Sequence, residues 1–317
     1  MNHLESTFTG KNSFWRYLIM FATVFIVSNT IGALPILAAL LIKSLSNPEI
    51  FTIFAANPGD YSVMDISSNG LLVLMLFPFI AGLAAFILLI KPIHSRTIRA
   101  VINGRPRFRW DRFFISLVIW LGLSALYFIV YLKVDPRNFT LNNTTISVFF
   151  LALISIALIP FQAAFEEVLF RGYLMQGFTA LLGKRWFPLI MTSMLFALMH
   201  GLNPEVKEYG FLTMMPQYIL FGLIFGVITI LDDGIEASIG AHTANNVFLC
   251  VMVTNKSSAL QTAAAYEQFN IHPWIEFAAL LVVGVLFIFI LKIIFRWESF
   301  SVLLGAVEKP VKSDTVN

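Results

Sequence analysis

Charge is what this sequence has least of. Only 12% of its 317 residues are Asp, Glu, Lys or Arg, where soluble domains carry roughly a quarter. Mean hydropathy is +0.81, and 58% of residues are hydrophobic. An ordinary soluble domain is excluded. Cysteine is nearly absent: a single Cys250 excludes an internal disulfide and a cysteine-built zinc site, and in its apolar run it reads as a small packing residue. No GxSxG, GxGD or HExxH occurs, so the familiar serine, aspartyl and compact zinc motifs are missing. Internal repeats, low-complexity stretches and a soluble second domain are also missing.

What is present is apolar length. Eight segments reach or approach the roughly 20 residues that cross a bilayer: Tyr17–Ile42, Gly70–Ile90, Phe113–Leu132, Thr145–Phe165, Trp186–Asn203, Gly210–Leu231, Ala237–Thr254 and Trp274–Phe295. The expected fold is all-α, a polytopic transmembrane helical bundle of about eight spans. The first run is too long for a signal-peptide core and reads as a retained span. Pro35, Pro78, Pro160, Pro188 and Pro216 fall in or near five of these segments, a kink that neighbouring helices can accommodate. Gly222 and Gly226 form a GxxxG, a close-packing face between helices.

Basic residues orient the chain. Residues 91–112 carry seven Lys or Arg, the densest cluster. Placing them in the cytoplasm puts 16 of the 21 basic residues inside and leaves Lys43, Lys133, Arg137, Lys207 and Lys256 outside. By the positive-inside rule both termini are then cytoplasmic. This expects a multi-pass integral protein of the cell membrane. The loop with Arg105, Arg107, Arg109 and Trp110 reads as a topogenic, lipid-facing segment, with no nucleic acid expected. Asn138-Phe139-Thr140 and Asn142-Asn143-Thr144 match the glycosylation pattern, a common chance match. The loop from Ser44 to Asn69 is expected outside, and the tail after Leu304 is polar and expected to be disordered.

The costly residues lie at the end of the fourth run. Thr145 to Phe165 carries no charge, and Glu166, Glu167 and Arg171 follow it. On a helix Glu167 and Arg171, four apart, share a face, with Glu on the favourable N-terminal side. Glu166 faces elsewhere. The pattern gives Glu167 and Arg171 the role of a structural ion pair and leaves Glu166 free to act on a ligand. Glu166 and His200 each lie 17 residues from Gly183. A helical hairpin turning at Gly183 brings both to one height, roughly 26 Å from the turn. His242 and Asn246, four apart, share a face of the seventh segment, while Asn245 points away from it. Polar side chains at such depth mark a cavity or substrate path.

Glu166-Glu167-x-x-x-Arg171, Phe196-x-x-x-His200 and His242-x-x-x-Asn246 together resemble the three motifs of the CPBP (Abi) family of intramembrane proteases, which includes CAAX prenyl endopeptidases and bacteriocin-processing or bacteriocin-immunity relatives. The resemblance covers roughly residues 145–255 and extends to Gly234-Ile-Glu-Ala-Ser-Ile-Gly-Ala-His242. It implies peptide-bond hydrolysis in the membrane. Glu166, assisted by His200, would activate a water, while His242 and Asn246 would bind the carbonyl or the oxyanion. The expected substrate is a membrane-embedded or lipidated peptide. Family usage calls these enzymes metalloproteases. Glu166, His200 and His242 are then candidate ligands for Zn²⁺ or another divalent metal, and a metal-free glutamate mechanism stands beside that reading. The domain division expected is an N-terminal transmembrane region at 1–144, a catalytic core at 145–255, and a last span with a polar tail at 256–317. Two other readings remain open at this stage: a non-catalytic immunity or scaffold protein of the same fold, and a proton-coupled transporter using Glu166, His200 and His242 as a relay.

Overall fold

The computed structural model describes residues 3–56, 61–142 and 145–309. Asn143 and Thr144 of the second glycosylation pattern, Lys312 and the rest of the tail from residue 310 lie outside the described residues. The chain is a largely helical bundle. Six of its helical stretches are long and apolar enough to cross a membrane: Phe14–Ser46, Ser68–His94, Trp110–Val134, Ile146–Leu182, Phe211–Asp232 and Pro273–Phe295. Apolar side chains such as Leu88, Val118, Ile156 and Ile293 lie exposed on the outside of these helices, the surface that lipid covers in an integral membrane protein.

The first stretch is two helices rather than one: α1 (Phe14–Asn29) and α2 (Leu34–Ser46). The break falls where Pro35 at the start of α2 cannot donate back into α1. Gly32 makes it close, since a Cβ there would stand 2.5 Å from Pro78 Cα. The loop after α2 holds a short helix α3 (Glu49–Ala56). Then come α4 (Ser68–His94), α5 (Ile98–Ile102), α6 (Trp110–Val134) and α7 (Thr145–Glu167). A π-helical stretch, Val168–Leu174, continues α7 into α8 (Met175–Leu182). The remaining helices are α9 (Trp186–Met199), α10 (Pro204–Tyr209), α11 (Phe211–Asp232), α12 (Glu236–Met252) and α13 (Pro273–Phe295). Two of the eight expected segments thus form shorter helices, α9 with 14 residues and α12 with 17.

α12 is the axis of the bundle. Every residue from Glu236 to Ala244 is buried, and the run is rich in small side chains. A Cβ on Gly240 would collide with Phe113 O, so α12 rests directly on the backbone of α6. Gly222 and Gly226 perform the same task between α11 and α9. A Cβ on Gly222 would lie 2.7 Å from Ser193 Cα, and one on Gly226 2.5 Å from Leu189. Small residues let helices approach where no hydrophobic effect drives them together.

A small sheet departs from the all-helical expectation. β1 (Phe139–Leu141), β2 (Val253–Thr254) and β3 (Tyr266–Gln268) form a sheet in the order β1-β3-β2. β1 pairs antiparallel and β2 parallel to β3. It ties the loops at one end of the bundle, satisfying backbone groups that a helical pattern does not reach.

The opposite end gathers much of what the charge pattern assigned to one side. His3 N–H donates to Asp233 Oδ1 at 2.7 Å and its ring to Val101 O at 3.1 Å. Arg109 pairs with Glu236 at 2.6 Å and Asp232 at 3.0 Å, and Arg105 with Asp233 at 3.1 Å. Trp297 Nε1 donates to Asp232 Oδ1 at 2.8 Å. The segment after Leu304 is ordered as far as it is described: Val307 N–H donates to Gly183 O at 2.9 Å, and Lys309 lies over Phe8. Backbone pairing with the Gly183 turn holds it, which side-chain polarity could not foretell. Both ends of the described chain therefore lie on the same side of the bundle.

Candidate active site

α7 ends in the adjacent carboxylates, and the helix widens into π geometry immediately after them. Such widened turns leave i→i+5 bonds and recur at functional sites. Glu167 and Arg171 meet at 2.9 Å (Oε1 to Nη1) with neither side chain exposed. The guanidinium sits among aromatic rings, 4.3 Å from the Phe196 centroid and 5.7 Å from that of Phe225. A fully buried cation needs this combination of a carboxylate and ring faces. Phe170 and Phe196, each 13 residues from Gly183, have centroids 5.4 Å apart. Gly183 itself adopts φ +64°, so the chain does turn back there as a hairpin.

Glu166 points away from Arg171 and toward α12. Its Oε1 accepts from Gln162 Nε2 at 2.6 Å. Gln162 Oε1 accepts from Asn246 Nδ2 at 2.8 Å, Asn246 Oδ1 from Asn245 Nδ2 at 2.9 Å, and Asn245 Oδ1 from Trp120 Nε1 at 3.3 Å. Every donor in this chain points the same way, from α6 through α12 and α7 to the Glu166 carboxylate. Aligned hydrogen bonds polarise one another in a poorly solvated interior. Glu166 Oε2 is buried and makes no hydrogen bond with a described residue.

His242 stands between the two carboxylates. Its Nδ1 lies 2.8 Å from Glu167 Oε1 and its Nε2 3.6 Å from Glu166 Oε2. An ionised carboxylate only accepts, so Nδ1 carries a proton toward Glu167. The Phe225 ring stacks on the imidazole at 5.3 Å.

His200 is held differently. It ends α9, its Nδ1 donates to Phe196 O at 2.7 Å, and its ring stacks on Tyr218 at 4.5 Å. Asn203 donates to Tyr218 Oη and to Glu205 Oε1, both at 3.1 Å, and Tyr218 Oη donates to Glu205. The Nε2 of His200 makes no hydrogen bond with a described residue. No hydrogen bond joins His200 to Glu166, Glu167 or His242 among the described residues. A divalent metal needs several converging donors, and no group of three His, Cys, Asp or Glu is so placed among the described residues. Glu166, His200 and His242 as arranged do not form a metal cage.

Residues 148–248 match the family model of the Type II CAAX prenyl endopeptidase Rce1-like proteins. The match is a domain-level similarity over part of the chain, at the breadth of the CPBP/CAAX protease superfamily. Gln162, Glu166, Glu167, Arg171, His200, His242 and Asn246 all fall inside it. A Bacillus subtilis (strain 168) protein, "Uncharacterized protein YyaK", is 29% identical over 260 residues, spanning 81% of this chain and 84% of that protein. No solved structure matches. The CAAX-protease-like segment thus holds every polar group of the site except Trp120. Gln162 escaped the sequence reading, although it lies four residues before Glu166 and so on its helical face. The His242–Glu167 contact joins residues 75 apart, and no local spacing signals it. Asn245 faces α6 through Trp120 but also donates to Asn246 Oδ1, so it joins the site rather than standing apart from it.

Proposed function

We propose that the chain is an intramembrane endopeptidase of the CPBP type, cutting a peptide bond of a membrane-embedded or lipidated substrate. The observation that supports it most is the Glu166 carboxylate. One of its oxygens is fixed by Gln162, and the other is buried, unbonded and 3.6 Å from His242 Nε2. In this reading Glu166 Oε2 takes a proton from the attacking water as general base. The water oxygen bonds to the substrate carbonyl carbon, and the C–N bond then breaks as a proton passes to the leaving amine through His242. Glu167 orients His242 from its other nitrogen, the role of the third group in nucleophile–base arrangements. Asn246 Nδ2 faces the substrate carbonyl and its oxyanion, and His200 Nε2, the ring nitrogen opposite the one that donates to Phe196 O, accepts from the attacking water. No step requires a metal.

The termini and the basic end are cytoplasmic, the crossings number eight, and the protein resides in the cell membrane. The catalytic unit is 145–255, flanked by supporting regions at 1–144 and 256–317. The relatives' family description brings a prenylated C-terminal CAAX peptide forward as the first substrate to try. The experiment incubates purified chain in proteoliposomes with a fluorogenic farnesylated CAAX peptide and with its unprenylated counterpart. Cleavage of the farnesylated peptide supports the reading and its substrate class. Cleavage of the unprenylated peptide alone keeps the protease and removes the prenyl preference. Cleavage of neither peptide contradicts hydrolysis of this class.

A further inference from the structure

The basic loop is less free than its composition suggests. Arg105, Arg109 and Arg112 face Asp233, Asp232 and Glu236 in ion pairs, and the buried Arg96 donates to Gln176. Arg99 and Arg107, both exposed, make no side-chain hydrogen bond or ion pair with a described residue. Two hollows flank Arg99. One, of about 460 Å³, is floored by Ile98, Ile102, Phe108 and Trp110, with Arg99 and Arg107 among its lining. The other, of about 300 Å³, brings in hydroxyls, with Ser6, Thr9 and Thr97 beside Arg99 and Arg105 in its lining. Thr97 Oγ1 accepts from Ala100 N–H and keeps its own proton to donate.

We propose that these adjoining hollows seat one anionic glycerophospholipid of the surrounding leaflet. Its phosphodiester lies between Arg99 and Arg107 with its polar group toward Thr97 and Arg105, and its glycerol and upper acyl carbons lie on Ile98, Ile102 and Trp110. Three features argue for a lipid over a free anion. The apolar hollow is the larger, and a bare phosphate leaves it unused. Trp110 is 60% exposed at the first turn of α6, and its ring packs against Phe108 at 4.6 Å and Phe114 at 5.8 Å. Such aromatic groups sit at the level of lipid headgroups. The two unpaired cations stand beside this apolar floor, whereas the paired ones face the protein. The site is also joined to the fold: Ser6 Oγ donates to Ala100 O at 2.7 Å, so the N-terminal segment forms one wall.

The test does not depend on protease activity. The purified chain is placed in nanodiscs of mixed phosphatidylglycerol and phosphatidylcholine, and retained lipid is counted by native mass spectrometry after release. One phosphatidylglycerol per chain, held in preference to phosphatidylcholine, is expected. Arg99→Gln/Arg107→Gln lowers that retention about tenfold to thirtyfold, since each basic residue at a membrane surface contributes about 1 kcal/mol. Both side chains are exposed, so the fold tolerates the change, and Arg99→Lys/Arg107→Lys recovers most of the retention. Lys133→Gln/Lys207→Gln, away from this loop, leaves it unchanged. Equal retention of the two lipids, or an unaltered double glutamine variant, overturns the proposal. Complete displacement by glycerol 1-phosphate identifies a headgroup-only anion site and also overturns it. Competition by an RNA oligonucleotide at equal charge concentration reassigns the patch to nucleic acid.

Discussion

His242 Nδ1 lies 2.8 Å from Glu167 Oε1, so the glutamate that pairs with Arg171 also holds the imidazole facing Glu166. The ion pair and the candidate base are therefore one unit rather than two independent sites. Changes at either carboxylate will be felt at the other, and their effects will not add.

Breaking the Glu167–Arg171 pair should be costly. Glu167→Gln leaves the buried guanidinium without its carboxylate, a loss of about 3–5 kcal/mol. Thermal unfolding in detergent should show it as a clear drop in midpoint. Glu167→Gln/Arg171→Gln should recover part of that drop, because no lone charge remains. A double variant less stable than both single variants would mean that packing of Arg171 on Phe196 outweighs the charge.

Gln162 couples Asn246 to Glu166. Gln162→Leu keeps volume but ends the donor chain on the Glu166 carboxylate. Peptide cleavage should fall about tenfold to a hundredfold, with the stability lost being about 1 kcal/mol per hydrogen bond. Unchanged turnover in this variant would show that the aligned bonds from Trp120 do not tune the carboxylate.

The N-terminal segment should undock on acidification. Burial lowers the His3 pKa from 6.5 to about 3, partly offset by its bond to Val101 O, with Arg96 and Arg109 lowering it further. Below 6.5 the unfolded segment binds a proton that the docked one refuses. Docking is therefore fully stable above 6.5 and loses about 2 kcal/mol by pH 5. Asp233 is shifted upward by burial, so its own protonation works the opposite way at lower pH. Protection factors of residues 3–9, which remove the intrinsic pH dependence of amide exchange, should fall about twentyfold to thirtyfold between pH 7 and 5 in wild type and stay level in His3→Gln.

Topology follows from the shared end of the bundle. Reporter fusions after Arg107 and after Lys309 should both read cytoplasmic, and one after Asn142 external. An external reading after Arg107 would invert the orientation.

Much of this was legible along the chain because helices repeat locally. The spacing of Glu167 and Arg171, the face shared by His242 and Asn246, and the turn at Gly183 are all short-range rules. The two-helix character of the first run was also written there, in Gly32 and Pro35, but a long apolar stretch hides such a break. Contacts across the fold were not legible. Arg109 meets Glu236 over 127 positions, and nothing local in the acidic turn at Asp232–Glu236 signals that partner. The pairing of β1 with β3 depends on where α6, α12 and α13 deliver their loops. His200 was expected beside Glu166 from matched height alone, while its side-chain direction is set by Phe196 O and Tyr218, which height does not specify.

The central claim is that Glu166 is the general base, and one substitution tests it most directly. Glu166→Gln keeps size and the contact with Gln162 but removes the acceptor charge. Cleavage of the peptide that wild type processes should fall by about 10²–10⁴-fold, with an unfolding midpoint close to wild type. Retained cleavage in a folded Glu166→Gln protein would contradict the account.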